Sequence, residues 1–278
     1  ESRVAEVPVW ASVLEGVDPV LGSRAFDPVV DVESTVERLS VRVSAATTEA
    51  LLTAVPAAFR GGVNDGLLAA LALAVSRFRA VRGVVADSTL VQLEGHGREE
   101  AVVPGADLSR TVGWFTSVFP VRLDVSGVDV AEAFAGGEAA GAAVKAVKEQ
   151  LLAVPDKGIG FGLLRYVNAE TASVLSGGTG QISFNYLGRA GAGVGELPAG
   201  VAELGWVPSS VLGEFDASGA VSMAANKTVD INAVVAAGDD GGEVLSASFA
   251  FPSGAISRAE VSELASLWVS ALDALAGY

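Results

Sequence analysis

The sequence predicts a mixed-sheet α/β fold, and two observations carry that prediction. Strand-like and helix-like patterns alternate along the first part of the chain. Strand-like runs then cluster before one final amphipathic helix, an order typical of a mixed sheet flanked by helices. The chain has 278 residues, of which 50% are hydrophobic, so it is long enough to bury a large core.

The first elements follow from local patterns. Residues 1–34 are rich in Pro and Asp, which predicts an irregular lead-in with one short helix. Apolar and polar residues alternate from Leu39 to Val43, as in a half-buried strand. Ser44 is then predicted to cap a helix that Pro56 ends.

A second predicted helix has the clearest periodicity in the chain. Asn64 is its expected N-cap, and Asp65 favours the positive end of the helix dipole. Gly83 is expected to close it. The apolar residues at helical spacing are Leu67, Leu68, Leu71, Val75 and Phe78.

The middle of the chain continues with strands and a long helix. Strands are predicted at 89–93 and at 112–125, the second interrupted by Pro120. Asp129 is predicted to cap an Ala-rich helix that ends near Ala153.

The last third of the chain is predicted from the same kinds of pattern. The predicted elements are a glycine-rich loop at 155–162, a helix at 161–175, a strand at 181–187, a loop at 189–200, strands at 201–207, 219–236 and 243–251, and a helix capped by Ser257.

Composition excludes several functional classes. The net charge of −15 and only 18 scattered Lys and Arg residues argue against nucleic-acid binding. The chain has no Cys and one His, which argues against disulfides, a thiolate nucleophile and a structural metal site. The longest uncharged apolar run, 66–76, is far shorter than the roughly 20 residues of a membrane-spanning helix.

The N-terminal residues show neither a basic region nor an apolar stretch of a signal peptide, so the expected location is the cytoplasm. The chain begins without Met, from which we expect it to be a piece of a longer protein.

A cluster of charged residues, EGHGRE at 94–99, follows the strand predicted at 89–93. Glycines let a ligand approach the backbone closely, and loops that leave strands often carry functional residues. If Glu94 faces an apolar cavity, its pKa rises and it can exchange protons near neutral pH. A salt bridge from Glu94 to Arg98, or a solvated carboxylate, fits the same spacing equally well.

Two further segments place polar residues beside aromatic ones. Residues 107–117, DLSRTVGWFTS, are predicted either to line a tunnel or to form a buried strand with a Gly bulge. Asn185 and Tyr186 lie on a strand whose polar residues point at a site, or Tyr186 is a structural residue with a partner for its hydroxyl group.

Five segments, taken together, resemble the successive core motifs of the epimerization domains of nonribosomal peptide synthetases. These domains belong to the condensation-domain superfamily, and EGHGRE and VGWFTS resemble its epimerization branch more than its peptide-bond-forming branch. The segments, in order, are VNDGLLAAL at 63–71, LEGHGRE at 93–99, VGWFTSVFP at 112–120, KGIGFGLLRY at 157–166 and FNYLG at 184–188.

The resemblance implies a chloramphenicol-acetyltransferase-like fold of two lobes with the active site in a tunnel between them. It also implies an activity: inversion of the α-carbon, from L to D, of an aminoacyl or peptidyl thioester held on a carrier protein. Removal of the α-hydrogen gives an enolate, and a proton returned to the other face inverts the centre.

The same resemblance assigns roles to individual residues. It implies that Glu94 and Tyr186 are catalytic, and that Asn185 contacts substrate. It implies that His96 and Arg98 hold their loop. The residues that it implies to shape the tunnel are Trp114, Phe115, Thr116 and Ser117.

The family's HHxxxDG motif is expected upstream of the VNDGLLAAL segment, and this sequence, whose only His is His96, does not contain it. The resemblance therefore implies a C-terminal lobe, with 1–34 as a lead-in and 35–278 as the lobe core. Such a lobe is expected to be inactive alone. An intact gene product without the motif, a degenerate domain, is the alternative.

The implied partners are a peptidyl carrier protein, an upstream N-terminal lobe and neighbouring synthetase domains of an antibiotic-producing assembly. No metal or bound cofactor is implied, because the phosphopantetheine arm arrives with the carrier protein. Three other functions stay open: a condensation-domain lobe that forms peptide bonds, a non-catalytic carrier-docking module, and an acyltransferase that uses free coenzyme A. The motif EGHGRE argues against the last of these.

Overall fold

A six-stranded mixed sheet organises the molecule in a computed structural model, which describes residues 3–189, 220–238 and 242–278. The strands are β1 (Val36–Arg42), β2 (Ser88–Gly95), β3 (Ser117–Asp124), β4 (Ile182–Arg189), β5 (Val229–Ala237) and β6 (Glu243–Pro252). Their spatial order is β1-β6-β5-β4-β2-β3. Strand β4 pairs in parallel with β2 and β5, and the other pairs are antiparallel. The predicted mixed-sheet α/β class is therefore confirmed.

Nine α-helical segments accompany the sheet within the described residues. They are α1 (Val7–Leu14), α2 (Ala45–Leu52), α3 (Ala54–Phe59), α4 (Val63–Ala80), α5 (Val130–Phe134), α6 (Glu138–Leu152), α7 (Ile159–Gly162), α8 (Ala169–Ala172) and α9 (Arg258–Gly277).

The hydrophobic core lies between one face of the sheet and the long helices α4 and α9. Trp268 of α9 is fully buried and meets the rings of Phe184 on β4 and Phe249 on β6, with centroids 6.3 and 6.0 Å away. Its indole Nε1–H donates to the carbonyl oxygen of Leu67 on α4 at 3.1 Å. This contact joins the sheet and both helices at one point, and it satisfies the indole N–H in the core.

Residues that alternate with these core residues point to the opposite side of the sheet. On three neighbouring strands, β2, β4 and β5, six of them are polar, and we call this set the polar face. It consists of Gln92, Glu94, Ser183, Asn185, Asp230 and Asn232.

The N-terminal segment is tied to the sheet by a buried arginine. Arg79 of α4 is 2% exposed, and its guanidinium pairs with Asp18 at 2.8 Å. It also donates to the carbonyl oxygens of Ser88 and Pro19, each at 3.0 Å. The N-terminal segment, which is predicted to be irregular, is thus held in place by the Arg79 guanidinium and its several acceptors.

Three predicted helix caps are confirmed. The side chains of Ser44, Asp129 and Ser257 accept from the backbone N–H groups of Thr47, Glu132 and Glu260 at 3.1, 3.0 and 3.3 Å. Short polar side chains at these positions satisfy N–H groups that the helix leaves unpaired.

Two predicted helix boundaries are wrong. Pro56 does not end the first helix, because the chain kinks at Thr53 and Pro56 lies in the first turn of α3, where a proline costs no hydrogen bond. Asn64 is not the N-cap of α4, because the helix starts one residue earlier, at Val63. The Asp65 carboxylate accepts from the backbone N–H of Gly62 at 2.8 Å and provides the cap.

Other elements are shorter than predicted. Strand β3 begins at Ser117 and not at Val112. The helix expected to follow Asp129 is broken between α5 and α6 by Gly136, which has a positive φ of 74°. The helix predicted at 161–175 is replaced by α7, a π turn at Leu163–Val167 and α8.

The later strand predictions have mixed outcomes. Strand β6 matches the one predicted at 243–251, whereas the one predicted at 219–236 is shorter at its start, since β5 covers Val229–Ala237. The predicted strand at 201–207, and the predicted loop at 189–200 apart from Arg189, lie outside the described residues.

No single helix in the described ranges is both long and apolar enough to cross a membrane. The stretch Ala45–Phe59 and helix α4 would meet that test only as a pair, and they are bent by 99° to each other.

Candidate active site

Glu94 and Asn185 meet across two neighbouring strands of the polar face. Glu94 lies near the end of β2, and Asn185 lies on β4, which pairs in parallel with β2. The Asn185 Nδ2 group donates to Glu94 Oε2 at 3.1 Å. Two residues 91 positions apart are therefore joined by strand register, and the amide fixes the orientation of the carboxylate.

The pairing register extends this contact into rows across the sheet. Asn185 on β4 is the register partner of Asn232 on β5, so Glu94, Asn185 and Asn232 form one row. In the adjacent row, Ser183 is the register partner of Asp230. The amides and carboxylates of three strands thus converge on one area of the sheet.

The electrostatic setting of Glu94 favours its protonated form. Loss of hydration raises the pKa of Glu94, and the negative charge of Asp230 raises it further. Within the part of the chain that the structure describes, the Glu94 side chain is nevertheless exposed to solvent. The arrangement gives a carboxyl group that a substrate can reach and that accepts or donates a proton closer to neutral pH than an ordinary Glu.

A hydrogen-bonded cluster surrounds Asp230. Its Oδ1 atom accepts from the Ser183 hydroxyl at 2.5 Å and from Asn226 Nδ2 at 3.3 Å, and its Oδ2 atom accepts from Asn232 Nδ2 at 3.4 Å. The adjacent ammonium group of Lys227 donates to Thr179 Oγ1 at 2.7 Å. Burial, with a smaller effect of nearby positive charge, lowers the pKa of Lys227 to about 8.

The structure does not bring Tyr186 together with Glu94. Asn185 and Tyr186 are consecutive on β4, so their side chains point to opposite faces of the sheet. Tyr186 is partly buried and packs against the hydrophobic core, and this burial raises the pKa of its hydroxyl group. Asn185, expected only to contact substrate, is the residue that touches Glu94.

His96 and Arg98 both make contacts within the loop that follows β2. The backbone N–H of Arg98 donates to His96 Nδ1 at 3.0 Å, and His96 Nε2 lies 3.2 Å from Glu99 Oε1. The Arg98 guanidinium donates to the carbonyl oxygens of Leu108 and Thr111 at 2.6 and 2.9 Å. The Arg98 guanidinium therefore donates its hydrogen bonds to the loop. The partner of Glu94 is Asn185.

Aromatic residues of the same loop lie beside the hairpin of β2 and β3. The Arg98 guanidinium stacks over Phe115, 4.3 Å from the ring centroid. Gly97 has a φ of 65°, and a Cβ there would overlap the carbonyl oxygen of Phe115. Trp114 is 89% exposed. The loop is therefore tightly packed at Phe115, and the indole of the neighbouring Trp114 is exposed to solvent.

Thr116 and Ser117 complete the segment predicted at 114–117. Both are partly buried, and Ser117 pairs with Gly95, the residue after Glu94. Ser117 therefore lies beside the strand end that carries Glu94, and the other three residues directly precede it in the chain.

Three residues of this site, Ser183, Asp230 and Asn232, were not predicted from the sequence. The available signal was the alternation of Asp230 and Asn232 with the buried Ile231 and Ala233, which marks a strand with one polar face. It could not show that this face adjoins Glu94, because the order of strands depends on the whole fold. Within the described ranges, no group of three or more His, Cys, Asp or Glu side chains is arranged to hold a metal ion.

Comparisons with known proteins show the family and the fold of the chain. A family model described as "Condensation domain" matches residues 9–276. The chain is 40% identical over 192 residues to one of the linear gramicidin synthase proteins of Brevibacillus parabrevis, a match that covers 68% of this chain and 2% of that protein. It is 45% identical over 175 residues to chondramide synthase cmdD of Chondromyces crocatus, covering 63% of this chain and 4% of the relative.

Among solved structures, the fold is similar to the epimerization domain from the third module of tyrocidine synthetase B. The TM-score is 0.74 and the sequence identity 26%, and the match covers 99% of this chain and 55% of that one. The chain thus spans about half of that structure and a small part of the curated relatives.

Proposed function

Because this chain belongs to the condensation-domain family, we propose that it is part of an epimerization domain of a nonribosomal peptide synthetase. The proposed reaction inverts the α-carbon of an aminoacyl or peptidyl group bound as a thioester to a carrier protein. The observation that carries the proposal is the Glu94 carboxyl group, which is held by Asn185 at 3.1 Å and has a raised pKa. The motif EGHGRE and the 26% identity to an epimerization domain support it.

In the proposed mechanism Glu94 exchanges one proton with the α-carbon. A thioester makes the α-hydrogen acidic, and its removal as a proton leaves the electron pair as an enolate. In one direction Glu94 Oε takes this proton, and in the other it returns a proton to the enolate carbon. Inversion requires a second group on the opposite face of that carbon, and we propose that an HHxxxDG motif outside this sequence supplies it.

Asn185 positions the carboxyl group for this transfer. Its Nδ2–H donates to Glu94 Oε2. This hydrogen bond fixes the orientation of the carboxyl group and does not occupy Oε1. Tyr186, on the opposite face of β4, is assigned a positioning role, since its side chain packs behind the strand that carries Asn185. Direct proton transfer from Tyr186 would need a different orientation of its side chain.

The segment 114–117 is proposed to contact the pantetheine arm and the aminoacyl group. Trp114 is 89% exposed and Phe115 is fixed under Arg98, so an apolar surface is available next to the strand end of Glu94. The arm is part of the carrier-bound substrate, and the proposal includes no further cofactor.

We further propose that residues 35–278 form the C-terminal lobe of the domain, with 1–34 as the lead-in, and that an upstream lobe completes the tunnel. The 55% coverage of a solved epimerization domain supports this division. The partners proposed are a peptidyl carrier protein and the neighbouring synthetase domains. The proposed setting is the synthesis of a peptide antibiotic in the cytoplasm.

The test follows deuterium entry at the α-carbon of an L-aminoacyl carrier protein in heavy water. The chain is assayed alone and with an upstream lobe that carries HHxxxDG. Exchange and formation of the D-isomer only with both lobes would support the proposal.

Amide formation with a second, acceptor-loaded carrier, without α-exchange, would instead indicate condensation. Carrier binding without either reaction would indicate a docking module. Exchange by the chain alone would contradict the proposed need for an outside group.

A further inference from the structure

Asp230 occupies a central place on the polar face that the proposed reaction does not explain. It lies on β5, two strands away from Glu94, with β4 between them. Its carboxylate accepts hydrogen bonds from Ser183, Asn226 and Asn232, so both oxygen atoms have fixed partners. A carboxylate with several donors keeps one orientation, and its charge stays at one position relative to the sheet.

A row of amides leads from Asp230 to Glu94. Asn232 donates to Asp230 Oδ2 at 3.4 Å and is the register partner of Asn185. Asn185 in turn donates to Glu94 Oε2 at 3.1 Å. Both amides therefore point a donor at a carboxylate, and the backbone pairing of β4 and β5 keeps them side by side.

The charge of Asp230 also acts on Glu94 through space. Its negative charge is the second cause, after burial, of the raised pKa of Glu94. Other ionisable side chains, those of His96, Glu99 and Lys157, lie in the segments beyond the strand end. These contact one another, with Glu99 lying 3.2 Å from His96 and 3.1 Å from Lys157.

Lys227 is a further charged group whose charge interacts with that of Asp230. The positive charge of Arg165 lowers the pKa of Lys227, and Asp18 and Asp230 raise it, while burial is the main cause of the low value of about 8. Lys227 donates to Thr179 and not to Asp230. The charge of Asp230 is thus left without a direct ion pair among the described residues.

We propose that Asp230 is a positioning residue for Glu94, which acts through its fixed negative charge and through the Asn232–Asn185 row. It does not touch the substrate. It keeps a proton on Glu94 over a wider pH range, and it holds Asn232, the register partner of the Asn185 amide that orients the carboxyl group. The role in catalysis rests on the function proposed above, whereas the electrostatic effect on Glu94 does not.

The test is a titration of Glu94 by carbon-13 NMR of its side-chain carboxyl group in the full chain. Its signal is identified by its disappearance in Glu94→Gln. Asp230→Asn removes the charge and keeps the size of the side chain, and we expect the Glu94 midpoint to fall by at least about 0.3 pH unit. Ser183→Ala is the matched control, because it removes a hydrogen bond to Asp230 and keeps the charge. It should shift the midpoint by less than half as much.

An unchanged Glu94 midpoint in folded Asp230→Asn would overturn the proposal, and so would an equal fall in Ser183→Ala. If Asp230→Asn does not fold, Asp230→Ser is used in its place with the same expectation. Its smaller side chain can still exchange hydrogen bonds with Ser183 and Asn226.

A kinetic arm addresses catalysis separately. The pH–rate profile for α-exchange is measured with the upstream lobe present. In Asp230→Asn, the midpoint of the limb that reports Glu94 should fall to lower pH by as much as the NMR midpoint does. A shifted NMR midpoint with an unshifted profile would leave the electrostatic coupling in place and contradict its catalytic role. Activity that survives Glu94→Gln would overturn the proposed function while the NMR result stands.

Discussion

Asn185 donates a hydrogen bond of 3.1 Å to the Glu94 carboxylate from the neighbouring parallel strand, although the two residues are 91 positions apart. Strand pairing places Leu93 opposite Phe184, so the next residue of each strand turns to the polar face, where they meet. Register therefore decides which polar side chain orients the carboxyl group.

Replacement of Asn185 should slow α-exchange without weakening carrier binding. Asn185→Ala removes the donor to Glu94, and the loss of one orienting hydrogen bond, roughly 1–3 kcal/mol, corresponds to a fall of about 5- to 160-fold in rate. Single-turnover exchange measures the rate, and titration calorimetry measures carrier affinity, which should stay within about two-fold. Ser40→Ala on β1 is the control, because Ser40 lies at the far edge of the sheet. A rate equal to that of the control would contradict the role of Asn185.

The raised pKa of Glu94 predicts how stability depends on pH. Between the ordinary pKa of Glu and the raised pKa in the folded state, the folded protein binds more protons than the unfolded chain. Stability from this group is therefore present below the ordinary pKa and is lost as pH rises through the folded pKa. Glu94→Gln should raise Tm at pH 7 relative to the parent and lose most of that gain at about pH 4. Glu37→Gln on β1 is the comparison, and a Tm gain at pH 4 equal to that at pH 7 would show that burial and Asp230 do not destabilise the charge.

Arg98 should determine the order of the loop between β2 and β3. Its guanidinium bonds two carbonyl oxygens and stacks on Phe115, so Arg98→Ala removes contacts worth about 1–3 kcal/mol locally. We expect faster amide hydrogen exchange in residues 100–115 and little change in α4 or α9. His96→Ala should have a smaller effect, because His96 accepts one backbone bond and is largely exposed. Equal protection of the loop in Arg98→Ala and the parent would be inconsistent with this anchor.

The buried pair of Arg79 and Asp18 should matter far more for stability than an exposed pair. Arg79→Ala leaves Asp18 and two carbonyl oxygens without their cation, which should cost about 3–5 kcal/mol of the free energy of unfolding. Arg258→Ala breaks an exposed pair with Glu37 and should cost less than about 1 kcal/mol. Urea unfolding measures both variants, and similar losses would show that burial of Arg79 is not what stabilises the N-terminal segment.

Sequence patterns predicted those features that depend on local chemistry. The resemblance to the condensation-domain family, predicted from five motifs, is confirmed by the family match over residues 9–276. Helix caps at Ser44, Asp129 and Ser257 were predicted because a cap needs only neighbouring residues. The helix end predicted at Pro56 is wrong because a proline at such a position fits either the end of one helix or the first turn of the next.

Features that depend on tertiary structure could not be predicted in this way. The separation of Asn185 and Tyr186 onto opposite faces follows from strand geometry, but which face carries the site depends on where Glu94 points. Asp230 lies on β5 and Glu94 on β2, and β4 lies between these two strands. The relation of the two carboxyl groups therefore depends on the strand order. The site role of Tyr186 stays a prediction.

The measurement that tests the central claim most directly is α-deuterium exchange by Glu94→Gln in the presence of an upstream lobe with HHxxxDG. Gln keeps the shape of the side chain and can still accept from Asn185, but it cannot carry the proton. We predict that exchange and D-isomer formation fall by at least about 100-fold while carrier affinity is unchanged. Glu99→Gln, in the loop beyond the strand end, should keep activity within about ten-fold of the parent. Exchange by Glu94→Gln at the rate of the parent would contradict Glu94 as a proton-transfer group.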